Sequence, residues 1–476
     1  MNPNATLARL DSFPFRHRVR DVMTAPLFLL PAETTVVEAA RAMAARDISS
    51  VVLRRDGRLG IFTEGDAIRA LADGSDLARQ PIARFMTLPI ETVYDDDFVF
   101  VAIGRMQRLN VRHMPVVSRA SGEPVGMVSS RTLLKLRSAG SLVLGDRIAV
   151  AKTGAELRAV HDSLADLARD LRAEEVGAHE IAEIESALVR DMTARAAALA
   201  EAAMAAEGRG AAPAPWCVLV LGSGGRGESL LSADQDNAIV MADGAPDAWY
   251  AEAGRRIADT LDQAGIPYCK GGVMAREPAW RGTLSDWRRR VGRWVSKPEG
   301  KNLLSVDIFF DFAPVHGDGT LAETLRRHAL VEAGASRPFL RLLAEEVEQL
   351  GSPLDAFGRF RTENGRADLK KGALLAIVGG VRALALRHGV AATGTTERLR
   401  ALIAGGHVNA ADAEKLIAAQ ATVQAFVLDQ QLRDIAAGLA PSTRVEVARL
   451  KKDEKTALKE ALRHAGTIGM VLADMR

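Results

Sequence analysis

"LGSGGRGESLLSADQDNAIV", residues 221–240, decides which α/β fold the second half of this chain adopts. Gly222, Gly224 and Gly227 spell G-x-G-x-x-G, the pattern of a dinucleotide-binding turn. The preceding "WCVLVLG" reads as a short buried strand. A Rossmann unit would need a crossover helix before its next, parallel strand. Only "ESLLSA" separates Gly227 from Asp234, and "NAIVMAD" reads as strand at once, so there is no room for a parallel return. Another arrangement uses every residue. The strand ends at Gly222-Ser223, and backbone N–H groups of the turn form an anion cradle suited to phosphates. Glycine lets the backbone approach closely. Arg226 and Glu228 open a short helix, with Arg226 placed among the nucleotide contacts. Asp234 and Asp236 then stand two apart at a strand's start, which puts both carboxylates on one face. Paired hard oxygens suit Mg²⁺, completed by substrate phosphates. The alternative for the two aspartates is a solvated loop or a helix stop. A third carboxylate is expected from "LLSVDIFFDFAPVHGD", residues 303–318, read as strand: Asp311 first, Asp307 second. Lys270, beside the "GGVM" turn, is a further candidate phosphate contact.

At 476 residues the chain exceeds one ordinary core, so two to four domains are expected. Apolar residues make up 48% and charged residues 26%, a globular mixture. A net charge of +2 gives no argument for bulk attraction to nucleic acid or membrane. Two cysteines, Cys217 and Cys269, suggest no disulfide framework. The N-terminus lacks an apolar signal-like core, and the longest greasy run, "ALLAIVGGVRALAL", is broken by Arg382. These absences point to the cytoplasm.

The first 137 residues contain a repeat. Met23-Thr24 and Met86-Thr87 each open a segment that continues as an extended stretch, an amphipathic helix, two apolar strands around a turn and a final helix. The strands "SVVL" and "LGIFT" flank a hairpin-like turn centred on Asp56-Gly57; their counterparts are "MPVV" and "VGMVS". This order resembles a tandem CBS pair, a Bateman module, over about residues 16–137 (copies 16–75 and 79–137). The resemblance implies an adenine-nucleotide site between repeats, built on Gly-h-h-Thr/Ser-x-x-Asp. Gly60, Thr63 and Asp66 complete that motif in the first copy, with the hydroxyl reaching a phosphate and the carboxylate the ribose hydroxyls. The second copy has Gly126 and Ser129 but Thr132 in place of the acid. Thr63 and Asp66 also fit a cap for the helix "DAIRALA"; both roles can hold together. The resemblance also implies a homodimer through the CBS domains.

Residues 150–206 read as a helical linker of two helices broken near Gly177, with Leu157, Val160, Leu164, Leu167 and Leu171 at helical spacing. "EGRGAAPAP", 207–215, reads as a flexible connector. Trp280, Trp287 and Trp294 recur every seven residues, as core packing rather than a base-stacking platform. Residues 321–476 read as helical. His161, His316 and His388 lack ligand spacing, so no zinc site is expected.

"GSGGRGE…DQDN", followed by "GGVMAREPAW" and "IFFDF", resembles the nucleotidyltransferase family that accompanies CBS or cyclic-nucleotide-binding domains, similar to PII uridylyltransferase and glutamine synthetase adenylyltransferase. The fold implied is an α/β multidomain chain: CBS pair, helical linker, polymerase β-like nucleotidyltransferase domain at 207–320, and C-terminal helical domain. By that resemblance Gly222 and Ser223 contact the triphosphate, and Asp234, Asp236 and Asp311 hold Mg²⁺. The arginine the family places two residues after Asp311 is Ala313 here. The function implied is adenine-nucleotide-regulated, Mg²⁺-dependent transfer of NMP from an NTP to a protein or small-molecule hydroxyl. The alternative is a signalling protein in which the CBS pair senses adenine nucleotide and the transferase-like domain only binds nucleotide or a partner.

Overall fold

The structure, a computed structural model, describes residues 17–46, 48–55, 57–72, 77–129, 143–173, 175–297 and 308–473. Asp56, Thr132 and Asp307 lie outside the described residues. The chain divides into two compact units, residues 1–146 and 147–476.

In the first unit, helix α1 (Val36–Arg46) buries Val36, Ala39 and Met43 against a hairpin of β1 (Ser50–Arg55) and β2 (Arg58–Thr63). Arg55 pairs with Arg58 across the two-residue turn, and Gly57 supplies the positive φ of 75° that such turns require. Helix α2 (Glu64–Ala72) follows directly. The second copy repeats the order with β3 (Val93–Tyr94), α3 (Val99–Arg108), β4 (His113–Val117) and β5 (Pro124–Ser129). The opening Met-Thr of each copy pairs with the hairpin of the other: Thr24 exchanges backbone hydrogen bonds with Met127, and Thr87 with Ile61. This explains two glycines. A Cβ on Gly60 would meet Met86 Sδ at 2.8 Å, and one on Gly126 would meet Met23 Sδ at 2.5 Å. Gly60 is therefore required by packing between the copies, a role the nucleotide-motif reading did not assign it.

The second unit begins with α4 (Gly154–His161), α5 (Leu164–Ala173) and the long α6 (Ala178–Ala206). The break near Gly177 is where expected, but these helices are not a free-standing linker. The apolar positions Leu157 to Leu171 are all buried, and α6 packs on the sheet and helices that follow. The connector 207–215 is pinned as well: the Tyr250 hydroxyl bonds the backbone of Ala214 on both sides, and the Trp249 indole donates to Gly210 O. An apolar helix stripe cannot stay in water when a sheet face beside it needs covering.

That sheet has four strands in the order β8-β7-β6-β9: β6 (Trp216–Val220), β7 (Asn237–Met241), β8 (Arg281–Thr283) and β9 (Ala313–Gly317). β6 and β7 are antiparallel, as the missing crossover required. Helices α7 (Asp247–Gln263), α8 (Leu284–Ser296) and α9 (Gly319–Ala335) follow β7, β8 and β9. Trp280 and Trp287 are buried with Phe309 and Phe312, so the tryptophan heptad is core. Beyond lie α10 (Arg337–Gln349), α11 (Leu375–Arg387), α12 (Thr395–Ala404), α13 (Ala410–Ala436) and α14 (Lys452–Gly466), sharing one core with the sheet. No described helix is long and apolar enough to cross a membrane.

Candidate nucleotide and metal site

β6 ends in a one-turn helix, Gly222–Arg226, closed by Gly227 in the left-handed conformation. Gly222 itself has φ 56°, and a Cβ there would sit 2.9 Å from Asp236 Oδ2. The turn and the acidic pair thus touch only because residue 222 has no side chain. Gly225 is required by the protein's own backbone: a Cβ would lie 1.9 Å from the Asp311 carbonyl oxygen.

Asp234 and Asp236 immediately precede β7. Gln235 between them is buried, donating to the carbonyls of Ala258 and Ile266. That anchor turns its two neighbours to the opposite side, where Asp234 is exposed and Asp236 half-buried. Oxygens of Asp234 and Asp236 and the Cys269 sulfur lie within 4.8 Å of one another. Burial and the Asp234 charge push the Asp236 carboxyl up to about 6, despite the Cys269 thiol, Lys370 and Arg226 nearby. Asp236 Oδ1 is buried without a hydrogen-bond partner among the described residues. An orphaned carboxylate oxygen beside a second carboxylate fits a divalent cation, whose remaining positions water and phosphates would fill. Cys269 is a poor ligand for a hard cation; burial and the Asp236 charge push its thiol up to about 11, so it stays protonated beside that carboxyl.

Asp311 does not join this group. Residues 308–311 form a helical turn, and β9 starts only at Ala313. The Asp311 side chain is 0% exposed and held by three guanidinium groups: Arg226 at 2.6 Å, Arg382 at 2.5 Å and Arg398 at 2.7 Å. Both its oxygens are occupied, which corrects the expectation of a third metal carboxylate here. Arg226 is likewise committed, bonding Asp311 and Glu228. Burial raises the Glu228 carboxyl, but the Arg226 charge and hydrogen bonds from Arg226 and Thr395 N bring it down to about 2. Arg226 is therefore a structural clamp, not a free phosphate contact. The Ser223 hydroxyl pairs with that of Ser229 at 2.8 Å. Lys270 is exposed on the turn beside Cys269.

Asp234 and Ser223 line a cleft of about 600 Å³, including its open mouth, between the glycine turn and the helices α11 and α13. Lys370, which sequence reasoning missed, lines it too, at the start of a π turn (Lys370–Leu374) leading into α11. The "DLKKG" before a long apolar run was the available signal. Cys269 carried none, since a single cysteine has no spacing to read.

In the first unit, Thr63 N and Oγ1 both donate to Asp66 Oδ2 at 2.7 Å, and Arg69 pairs with Oδ1. Asp66 is 1% exposed and caps the start of α2, as the capping reading expected.

Comparison with known proteins places these features in families. Residues 19–73 and 82–139 match the CBS domain, residues 162–301 match "Putative nucleotidyltransferase DUF294", and residues 337–473 match "Putative nucleotidyltransferase substrate binding domain". An uncharacterized 17.7 kDa protein of Acidianus ambivalens is 28% identical over 120 residues, 25% of this chain and 71% of that protein. The CBS domain-containing protein CBSCBSPB5 of Arabidopsis thaliana is 32% identical over 133 residues, 27% of this chain but only 24% of its own length. Among solved structures, a CBS domain protein from Pyrobaculum aerophilum complexed with AMP is 32% identical, covering 26% of this chain and 100% of that chain, with a TM-score of 0.23. A CBS-domain containing protein from Agrobacterium tumefaciens is 26% identical, covering 26% and 100%, with a TM-score of 0.24. The chain is a CBS-domain protein of the DUF294 nucleotidyltransferase family, with its CBS pair followed by the transferase-like domain and a helical C-terminal region.

Proposed function

We propose that this protein transfers a nucleoside monophosphate from an Mg²⁺-bound NTP to a hydroxyl of a protein or small molecule, under control of an adenine nucleotide at its CBS pair. The observation that carries the reading is the orphaned Asp236 Oδ1 beside Asp234, against a turn whose Gly222 leaves no room for a side chain. A divalent cation bound there would neutralise the triphosphate. Asp234 and Asp236 would hold the cation, and the turn backbone and Lys370 would supply partners for the phosphates. The acceptor oxygen would bond to the α-phosphorus as the bond to the β-phosphate bridging oxygen breaks, pyrophosphate leaving and the hydroxyl proton passing to water. At the CBS pair, Asp66 Oδ1 is held among the described residues by Arg69, whose side chain is 69% exposed, so ribose hydroxyls can displace it. A homodimer through the CBS domains belongs to the same proposal.

One observation favours a second reading, nucleotide or partner binding without turnover: Asp311 is withdrawn from the metal group by its three arginines. Labelled NTPs added to a lysate with the purified chain separate the two. Label on one acceptor, lost with Asp234→Ala plus Asp236→Ala, supports transfer. Intact Mg²⁺-dependent nucleotide binding with no label from any NTP leaves the binding role alone.

A further inference from the structure

We infer that the cleft beside Asp234 seats the nucleobase of the bound nucleotide and that Gln420 reads its hydrogen-bonding edge. The inference rests on the reading above for which end of the cleft holds phosphate. Two residues of α13 give the cleft a direction. The Gln431 amide accepts from Leu231 N and donates to Ser232 Oγ, so it marks the end next to Asp234. Gln420 lies eleven residues earlier on the same helix, about 16 Å along its axis, and lines the same cleft. That distance is of the order separating metal-bound phosphates from the base in an extended nucleotide.

The cleft walls carry Ser223 and Lys370, with Leu375 and Val378 from α11 and Val427 from α13. Apolar walls suit the faces of a flat heterocycle, and an in-plane polar group then fixes its orientation. Gln420 is 1% exposed, and neither its amide nitrogen nor its oxygen has a hydrogen-bond partner among the described residues. Buried amides are nearly always satisfied. On the same face, Gln431 bonds Leu231 N and Ser232 Oγ, and the Gln424 oxygen lies 3.3 Å from His179 Nδ1. Of the three, Gln420 is the one whose amide nitrogen and oxygen both lack a partner among the described residues. A primary amide presents that pair side by side, the complement of the adjacent donor and acceptor on a base edge. A phosphate would need cations, and the Arg226 guanidinium that borders the cleft is committed to Glu228 and Asp311.

The test is calorimetric binding of ATP, GTP, CTP and UTP to the full chain. The cleft's share is the Mg²⁺-dependent part that Asp234→Asn plus Asp236→Asn removes, which sets aside nucleotide held by the CBS pair. The wild-type chain is expected to favour one base by about tenfold, the worth of a hydrogen bond read in a buried site. Gln420→Met keeps the volume and removes the hydrogen bonds, so the four affinities should converge within about threefold while Mg²⁺ dependence persists. Gln420→Glu offers acceptors only and should turn preference toward bases bearing amino groups and against UTP. A folded Gln420→Met chain with the wild-type preference, or a wild-type chain with no preference, overturns the base assignment and leaves the transfer reading standing. Absence of any Mg²⁺-dependent nucleotide binding overturns both. Should both variants misfold, photolysis of azido-base nucleotides on the wild-type chain decides: crosslinks within residues 374–378 and 420–427 support the assignment, and crosslinks only elsewhere sink it.

Discussion

Two carboxylates that looked alike in sequence have opposite environments, and that difference predicts opposite phenotypes. Asp311 is the negative centre of a buried cluster of Arg226, Arg382 and Arg398. Removing its charge takes the buried carboxylate from Arg382 and Arg398, while Arg226 keeps Glu228, so Asp311→Asn should cost about 3–5 kcal/mol, read as a lower urea midpoint. Asp234 is exposed, so Asp234→Asn should stay within about 0.5 kcal/mol of wild type and lose Mg²⁺-dependent nucleotide binding instead. Equal stabilities for the two variants would mean the arginine cluster is not formed. Asp66 combines both kinds of role. Its carboxylate accepts from Thr63 N and Oγ1 at the start of α2, so Asp66→Ala should destabilise the CBS unit by about 1 kcal/mol. If adenine nucleotides protect the CBS unit thermally, as the proposed function requires, Asp66→Ala should abolish that protection; protection equal to wild type would leave Asp66 a cap and nothing more.

At the scale of elements, the glycine turn separates packing from chemistry within four residues. A Cβ on Gly225 meets the Asp311 and Val220 carbonyl oxygens at 1.9 and 2.7 Å, both backbone. Gly225→Ala should therefore cost about 3 kcal/mol or more, since neither neighbour can swing aside. A Cβ on Gly222 meets the Asp236 carboxylate, which can move, at a φ of 56° that costs an L-residue about 1–2 kcal/mol. Gly222→Ala should stay folded and lose Mg²⁺ affinity, which titration calorimetry would show; unchanged affinity would detach the turn from the metal. Much of this was legible in sequence because it is local. The spacing from Gly227 to Asp234 ruled out a parallel return, and the paired Met-Thr segments exposed the CBS repeat. What escaped is set by distance along the chain. Arg382 and Arg398 reach Asp311 from 71 and 87 residues away, and no periodicity encodes such a meeting. The helices at 154–206 looked like a linker because amphipathicity says that a face is buried, not against what. Lys370 and Gln420 sat inside helices whose apolar pattern masked single polar positions facing a cleft.

For the second unit as a whole, α6 is the element that joins its parts, and it carries an anomaly. It packs against α7 and the sheet on one side and α13 on the other, with Ser186 Oγ accepting from Ser229 N and His179 meeting Gln424. Glu185, beside Ser186, is 2% exposed, and neither carboxylate oxygen has a partner among the described residues. Burial alone raises its carboxyl well above the ordinary value of 4.5, with no charged neighbour contributing. The folded chain therefore holds a proton that the unfolded chain releases. Below pH 4.5 both states are protonated and Glu185 exacts nothing. As pH rises past 4.5 the unfolded state ionises first, and stability falls by up to about 1.4 kcal/mol per pH unit until the folded carboxyl ionises too. Glu185→Gln keeps the shape and removes that proton linkage. The difference in unfolding free energy between variant and wild type should then grow in the variant's favour from pH 4.5 to pH 8, in urea titrations of the full chain followed by circular dichroism. Parallel curves across that range would show that Glu185 ionises as readily folded as unfolded, and that α6 is not the dry junction described.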